Sequence, residues 1–194
     1  SGEELQTPTI LIAGKNATVA GAGTNWEGVY KMTELDEETG LPISISVTYV
    51  DIAGNSGVPT TGVTSGENIE FDNTAPTLST VSIVSNNEYN NALATLGDII
   101  TLTIIAEEIL HEPTFIIAGD DVVPTGSGTS WSGTYTMQTN DTEENSAISA
   151  LDEVLFAISF TDRAGNAGDD VSETVDESSV IYDQAASDME NVTV

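Results

Sequence analysis

The sequence repeats itself at a distance of 105 to 111 residues, which restricts the fold to two copies of one unit. Three pairs of segments match: "PTILIAG" at 8–14 with "PTFIIAG" at 113–119, "GTNWEGVYKM" at 23–32 with "GTSWSGTYTM" at 128–137, and "DIAGN" at 51–55 with "DRAGN" at 162–166. The first two pairs are offset by 105. The third is offset by 111, because the second copy contains six extra residues. Self-similarity at a fixed period is typical of repeat architectures.

Each copy has the pattern of strand after strand. Apolar and polar residues alternate in 26–32, in 131–137 and in 43–49. A period of two residues predicts half-buried β-strands, and clusters of Gly, Asn, Asp and Ser separate the runs. A segment of useful length with a helical period is absent from the sequence. Many short strands in a unit of about 110 residues predict an all-β, antiparallel sandwich.

The two copies are of unequal length. The second, residues 76–183, is predicted to be a complete sandwich whose first two strands, A and B, lie at about 78–84 and 98–106. The first, residues 1–75, has no counterpart of strands A and B. A sandwich without two strands exposes an apolar groove and unpaired backbone groups, which is costly.

The C-terminal segment 184–194 suggests one way to complete the first copy. It ends in "MENVTV" at 189–194, which matches strand A of the second copy. If the 194 residues belong to a longer tandem array, this segment is strand A of a following repeat. Otherwise it is a strand donated to another copy of the chain by β-strand addition. Both readings make the partners copies of the chain itself or adjacent repeats.

The charge balance excludes several classes of partner. The chain has 32 acidic residues against three basic ones, a net charge of −29. Nucleic acids and anionic membrane surfaces require a basic surface, so neither is a predicted partner. With no cysteine and one histidine, His111, the chain offers neither disulfides nor a structural zinc site. Its apolar runs are too short to be inserted into a membrane.

The order of the motifs resembles the bacterial-type immunoglobulin-like (Ig-like) repeats of large secreted adhesins and cell-surface proteins. The resemblance is carried by "FDNTAPTLSTVSIVSNN", "LGDIITLTIIAEEIL", "PTFIIAG", "GTSWSGTYTM" and "ISFTDRAGNAG", and it covers nearly the whole chain. It implies tandem Ig-like sandwiches, an extracellular or cell-surface location, and calcium at domain junctions. "DQAASD" at 183–188 departs from the D-x-T-A-P pattern seen at 72–76.

Calcium is the cofactor for which the sequence offers ligands, because Ca²⁺ takes six to eight hard oxygen atoms. In an Ig-like topology the B–C loop, the F–G loop and the incoming linker lie at one end of the domain. The predicted ligands are Asp72 and Asn73 in the linker, Glu107 and Glu108 in the B–C loop, and Asp162 and Asn166 in the F–G loop, with Asp51 and Asn55 in the first copy. Converging carboxylates repel one another unless a cation lies between them.

A metal-free explanation of Asp-X-Ala-Gly-Asn competes with the calcium hypothesis. Asp can cap its own backbone, Gly supplies a positive φ, and Asn tolerates the left-handed region, so the motif is also typical of a tight turn. The glycine-rich segments "GAGTNW" and "GSGTSW" precede strands rather than helices, which indicates hairpin turns and not nucleotide loops.

The function predicted from the sequence is therefore a non-enzymatic structural module of an extracellular stalk or filament. No nucleophile elbow accompanies His111, and no distinctive carboxylate pair nominates an active site. The alternative is an adhesin domain that binds a glycan or a protein, which would display an exposed aromatic cluster. Asn16, Asn140 and Asn191 lie in N-X-Ser/Thr glycosylation sequons, on whose use the sequence is silent.

Overall fold

The computed structural model describes residues 1–38, 40–142, 148 and 152–184. Every regular element in these ranges is a β-strand. No helix among these residues is long and apolar enough to span a membrane. The all-β class predicted from the alternating pattern is confirmed. The chain divides into two compact units, Ser1–Asn73 and Thr74–Val194.

The first unit contains five short strands in two layers. They are β1 (Thr9–Ile12), β2 (Lys15–Asn16), β3 (Thr18–Ala22), β4 (Asn25–Val29) and β5 (Ile45–Thr48). Strand β1 pairs antiparallel with both β2 and β5, while β3 and β4 form a separate antiparallel ribbon. The ribbon lies close to β1 at Gly28, where a Cβ atom would be 2.8 Å from Cγ2 of Ile10. Glycine is therefore required for this approach of the two layers.

The second unit has the same two layers with more strands. They are β6 (Leu78–Ser85), β7 (Leu93–Ala94), β8 (Ile99–Ala106), β9 (Thr114–Ile117), β10 (Asp120–Val122), β11 (Thr125–Ser127), β12 (Ser130–Thr136), β13 (Phe156–Ser159) and β14 (Ile181–Tyr182). One antiparallel sheet has the order β11-β12-β8-β6, and the other has the order β10-β9-β13. Gly133 of β12 lies against Phe115 of β9, as Gly28 lies against Ile10. Two antiparallel layers in contact are consistent with a β-sandwich.

The hydrophobic core belongs to the second unit. On β8 the side chains of Ile100, Leu102 and Ile104 are fully buried, and the threonines between them are half-buried. They pack in one cluster with Phe115 and Ile117 of the opposite sheet. Each such side chain contributes about 1.5–3 kcal/mol by leaving water. The apolar residues of the alternating pattern therefore face the core, as predicted from the sequence.

One pair of strands in the second unit is parallel, which the sequence did not predict. Strands β7 and β14 pair in parallel through Ile181 with Leu93 and Tyr182 with Ala94. Each of these strands is only two residues long, too short to carry an alternating pattern. Tyr182 of β14 is buried, and its hydroxyl donates a hydrogen bond to the Gln138 carbonyl at 2.9 Å. This side-chain bond holds β14 in place in addition to its backbone pairing with β7.

Residues separated by the sequence offsets have matching local structure. The indole Nε1 atoms of Trp26 and Trp131 each donate, over 3.2 Å, to the carbonyl oxygen three positions earlier. Ala13 and Ala118 both occupy the left-handed region, with φ of 51° and 53°. This conformation is uncommon for a residue with a Cβ atom, so its recurrence at equivalent positions indicates that the two units share the same local fold there.

Candidate metal centre

Backbone hydrogen bonds gather three segments of the second unit at one end. The segment that follows β8 is joined to the start of β6 by a bond from the Glu107 amide to the Thr77 carbonyl, at 3.0 Å. Three residues later the chain forms a β-bridge between Leu110 and Asp162, and the His111 amide donates to the Thr161 carbonyl at 2.9 Å. The loops that follow β8 and β13 therefore lie side by side, next to the beginning of the unit.

The Asp162 side chain holds the second of these loops in a closed turn. Its Oδ1 atom accepts from the amides of Gly165 at 2.7 Å and Asn166 at 2.9 Å, and its Oδ2 atom accepts from Asn166 Nδ2 at 2.7 Å. Gly165 has a φ of 98°, which a side chain would disfavour. All of these bonds support the interpretation of Asp-X-Ala-Gly-Asn as a tight turn.

Asp162 is ionised in spite of its burial. Its side chain is 0% exposed. Burial raises the pKa of this carboxyl, but the hydrogen bonds from the Asn166 side chain and from the loop amides outweigh it and lower the pKa below the ordinary value of 3.8. The side chain is therefore negatively charged at neutral pH, as a carboxylate metal ligand must be.

Glu108 brings a second carboxylate to Asp162. Glu108 is half-buried, and one of its carboxylate oxygens lies within 4.8 Å of one of Asp162. Two oxygens at this spacing match the kind of ligand that divalent cations such as Ca²⁺ use, and a cation there would screen the repulsion between the two acidic groups. The pair is the part of the predicted ligand set that the second unit itself brings together.

The remaining predicted ligands differ in their exposure and in the atoms that they can offer to a metal. Glu107 is exposed, and its side chain is outside this group. Asn166 uses its amide nitrogen to bind Asp162, so its Oδ1 atom is the one it would offer to a metal. Asp72 is half-buried and Asn73 is exposed, both at the end of the first unit.

The matching loop of the first unit has the same turn. Asp51 Oδ2 accepts from Asn55 Nδ2 at 2.7 Å, and Oδ1 accepts from the Asn55 amide at 2.8 Å. These bonds, the side-chain bond first, lower the pKa of Asp51. Among the described residues of the first unit no group of three metal-binding side chains surrounds Asp51. Its role, and that of Asn55, as calcium ligands therefore stays a prediction that requires further ligands from elsewhere.

A polar cluster around Tyr135 was not predicted from the sequence. The Tyr135 hydroxyl lies 2.9 Å from Asp141 Oδ1 and 3.0 Å from Asp120 Oδ2. A phenol has one hydrogen and donates to one carboxylate at a time. Asp141 is fully buried, and its Oδ2 atom accepts from the Gln138 amide at 2.6 Å. Burial, followed by the two carboxylates, raises the pKa of Tyr135.

The first unit contains the same cluster with one charge reversed. The Tyr30 hydroxyl donates to Asp36 Oδ1 at 2.8 Å, and the Thr33 amide donates to Oδ2 at 2.7 Å. The Thr33 and Tyr30 bonds lower the pKa of Asp36, and the charge of Lys15 lowers it further. Lys15 stands 105 residues before Asp120. The recurrence of Asp six residues after the tyrosine was the signal that could have revealed both clusters.

No family model matches this chain, and no curated protein matches it.

Proposed function

We propose that the chain is a non-enzymatic structural module, made of two Ig-like repeats, of an extracellular stalk or filament. The observation that carries the proposal is the matched local structure at offsets of 105 and 111. The paired indole bonds, the left-handed alanines and the closed Asp–Asn turns recur at equivalent positions. Recurrence of this detail supports duplication of one unit, and tandem units of this kind serve to span distance.

A structural role also suits what the side chains do. Asp36, Asp141 and Asp162 are buried carboxylates whose oxygens accept hydrogen bonds from nearby turns, so their contacts stabilise loops. Antiparallel sheets with an apolar interior resist extension through many hydrogen bonds at once. The net charge of −29 keeps neighbouring molecules apart and concentrates cations at the surface.

The cation in this proposal is Ca²⁺, bound by Glu108 and Asp162 of the second unit. The linker residue Asp72 is the third ligand that the sequence predicts. Thr77, whose carbonyl accepts from the Glu107 amide, follows Asp72 by five residues. Five residues span at most about 17 Å, so chain connectivity keeps Asp72 near this end of the second unit. A ligand from the linker would couple the cation to the junction between repeats. Asn73 and Asn166 are further oxygen donors in the same segments.

Thermal unfolding in EDTA and in millimolar calcium tests this proposal. If the site is present, calcium raises the melting temperature, since a ligand at 100 times its Kd adds about 2.7 kcal/mol to the stability. Glu108→Gln should abolish the rise, and Glu107→Gln, the same change on the exposed neighbour, should retain it. Equal melting temperatures in both solutions for the unaltered chain would refute the calcium site.

The filament version of the proposal makes the C-terminal segment 184–194 the contact between subunits. Residues 185–194 lie outside the described part of the chain. Deletion of 189–194 should then abolish assembly into polymers, as followed by light scattering and sedimentation. Polymers of unchanged length would contradict strand donation and leave the stalk version. The adhesin alternative gains little support, because Tyr89 is the one strongly exposed large aromatic side chain among the described residues.

A further inference from the structure

Strand β4 has an edge that its counterpart in the second unit does not have. Strand β12 pairs with β11 on one side and with β8 on the other. In the described part of the first unit, β4 pairs with β3 alone. Strand β4 is also shorter, five residues against seven for β12. Unpaired backbone groups on a sheet edge are a template for another strand.

The side chains behind this edge are incompletely covered. In the second unit the inward residues Phe115, Ile117, Met137, Ile158 and Phe160 are buried, whereas their counterparts Ile10, Ile12, Met32, Val47 and Tyr49 are all half-buried. Pro8 and Asp36 are the buried residues in the described part of the first unit. The same apolar positions are therefore present in both units, but within the described residues of the first unit no strands corresponding to β6 and β8 cover them.

Two cavities in the first unit mark the uncovered region. One, of about 490 Å³, is lined by Leu5, Ile10, Trp26 and Val47 among others. The other, of about 560 Å³, includes Met32 in its lining. Each is large enough for several aliphatic side chains.

A backbone bond at the end of β4 fixes the register of an added strand. In the second unit the Thr129 carbonyl accepts from the amide of Ala106, the last residue of β8, at 2.8 Å. In the first unit the Thr24 carbonyl accepts from the amino group of Ser1 at 2.9 Å. Ser1 and Thr24 stand 105 residues before Ala106 and Thr129. Ser1 therefore occupies the position at which a β8-like strand ends.

We propose that the open side of the first unit binds a two-stranded antiparallel β-ribbon with the residue pattern of β6 and β8. The inner strand runs antiparallel to β4 and ends at the position of Ser1. In the second unit Ile104 and Leu102 stand opposite Trp131 and Gly133. By the same register, branched aliphatic residues of the ribbon stand opposite Trp26 and Gly28. This inference rests on the proposed function, in which the occupant is part of another repeat of the same kind.

A single strand with the sequence of 189–194 fits this surface less well. That segment matches β6, and in the second unit β6 pairs with β8 and not with β12. Used alone it would leave the position next to β4 without the strand that belongs there. An occupant with both strands also covers more of the apolar side chains, since β8 supplies three fully buried residues and β6 supplies Val81 and Ile83.

The test is a graft on the full chain. A second copy of residues 77–105 is placed directly before Ser1, and backbone hydrogen exchange is measured in β4. The graft should slow exchange of the open-edge amides of residues 25–31 at least about tenfold, because each amide gains a partner strand. A matched graft with threonine in place of its copies of Ile100, Leu102 and Ile104 keeps the length and the backbone, and should give little protection. Equal exchange with and without the apolar graft would overturn the proposal.

Separate peptides distinguish the possible occupants. A peptide of residues 184–194, added to the ungrafted chain, should not protect β4 as the graft does. Protection by that peptide equal to that of the graft would replace the ribbon with single-strand donation. Neither outcome bears on the calcium shift of the second unit, so failure of this inference and failure of the proposed function remain separable.

Discussion

At the scale of single residues, Asp162 and Asp51 hold equivalent turns in different surroundings. Both carboxylates accept from the side chain and the amide of the asparagine four residues later. Asp162 is fully buried and Asp51 is half-buried. Both have a lowered pKa. Because the folded pKa is depressed, the stabilisation is complete above the ordinary value of 3.8 and is lost as the pH falls through the folded value.

Asn166→Ala should therefore destabilise the second unit by about 1–2 kcal/mol at pH 7, since a buried carboxylate loses a hydrogen-bond donor. Its loss of stability between pH 7 and about pH 3 should be smaller than that of the unaltered chain, because part of the pKa shift is gone. Asn55→Ala removes the matching bond at a half-buried site and should cost less. Urea unfolding at both pH values measures this, and equal costs for the two variants would contradict the difference in burial.

The charge reversal between Lys15 and Asp120 makes a second prediction at this scale. In the second unit two carboxylates face one tyrosine hydroxyl, and in the first unit a lysine holds the position of one of them. Asp120→Lys should raise the melting temperature of the second unit by about 1–3 °C at low salt, because it replaces a like charge beside Asp141 with an opposite one. Asp121→Lys changes the charge equally on the next residue. A rise of the same size in that variant would show a general charge effect instead.

At the scale of elements, alternation was sufficient to predict the long strands. Strands β6, β8 and β12 have one buried face, so their apolar residues recur every second position and appear in the sequence as a period. The parallel pair β7 and β14 spans two residues in each strand and is too short to show a period. Its position is set by packing of Tyr182 and Ala94 in the core, which depends on distant parts of the chain.

The candidate site was predictable in the same limited way. The Asp-X-Ala-Gly-Asn turn is local, and its residues each have a conformational reason, so the sequence was enough to propose it. That Glu108 rather than Glu107 lies beside Asp162 depends on how the loop after β8 is held by the Leu110 bridge. The polar, acidic sequence around Asp141 predicts a solvent-facing side chain, but Asp141 is fully buried.

A matched pair of core substitutions tests the unequal completeness of the two units. Ile117 of β9 is fully buried, and Ile12 of β1, its counterpart 105 residues earlier, is half-buried. Ile117→Ala should destabilise the second unit by about 2–5 kcal/mol through lost burial and the cavity left behind. Ile12→Ala should cost the first unit clearly less. Hydrogen exchange resolves the two units, and similar costs would mean that the first unit is covered as well as the second.

At the scale of the whole molecule, the two units share local structure but differ in how completely their apolar side chains are covered. The second has a buried core and a pair of carboxylates at one end, while the described part of the first has an open sheet edge and apolar side chains that are only half-buried. In the proposed function these differences are complementary: one end of a repeat receives a cation, and an open side receives strands from another repeat. The acidic surface attracts the cation. Without a bound cation, the same negative charge repels another copy of the chain.

The most direct test of this account is hydrogen exchange of the full chain in EDTA and in millimolar calcium. Calcium is predicted to slow exchange in segments 107–112 and 162–167 of the second unit, and the loop at 51–55 should serve as an unaffected reference. Glu108→Gln should remove the effect. Identical exchange in the two solutions, or slowing at 51–55 equal to that at 162–167, would contradict a cation site formed by Glu108 and Asp162.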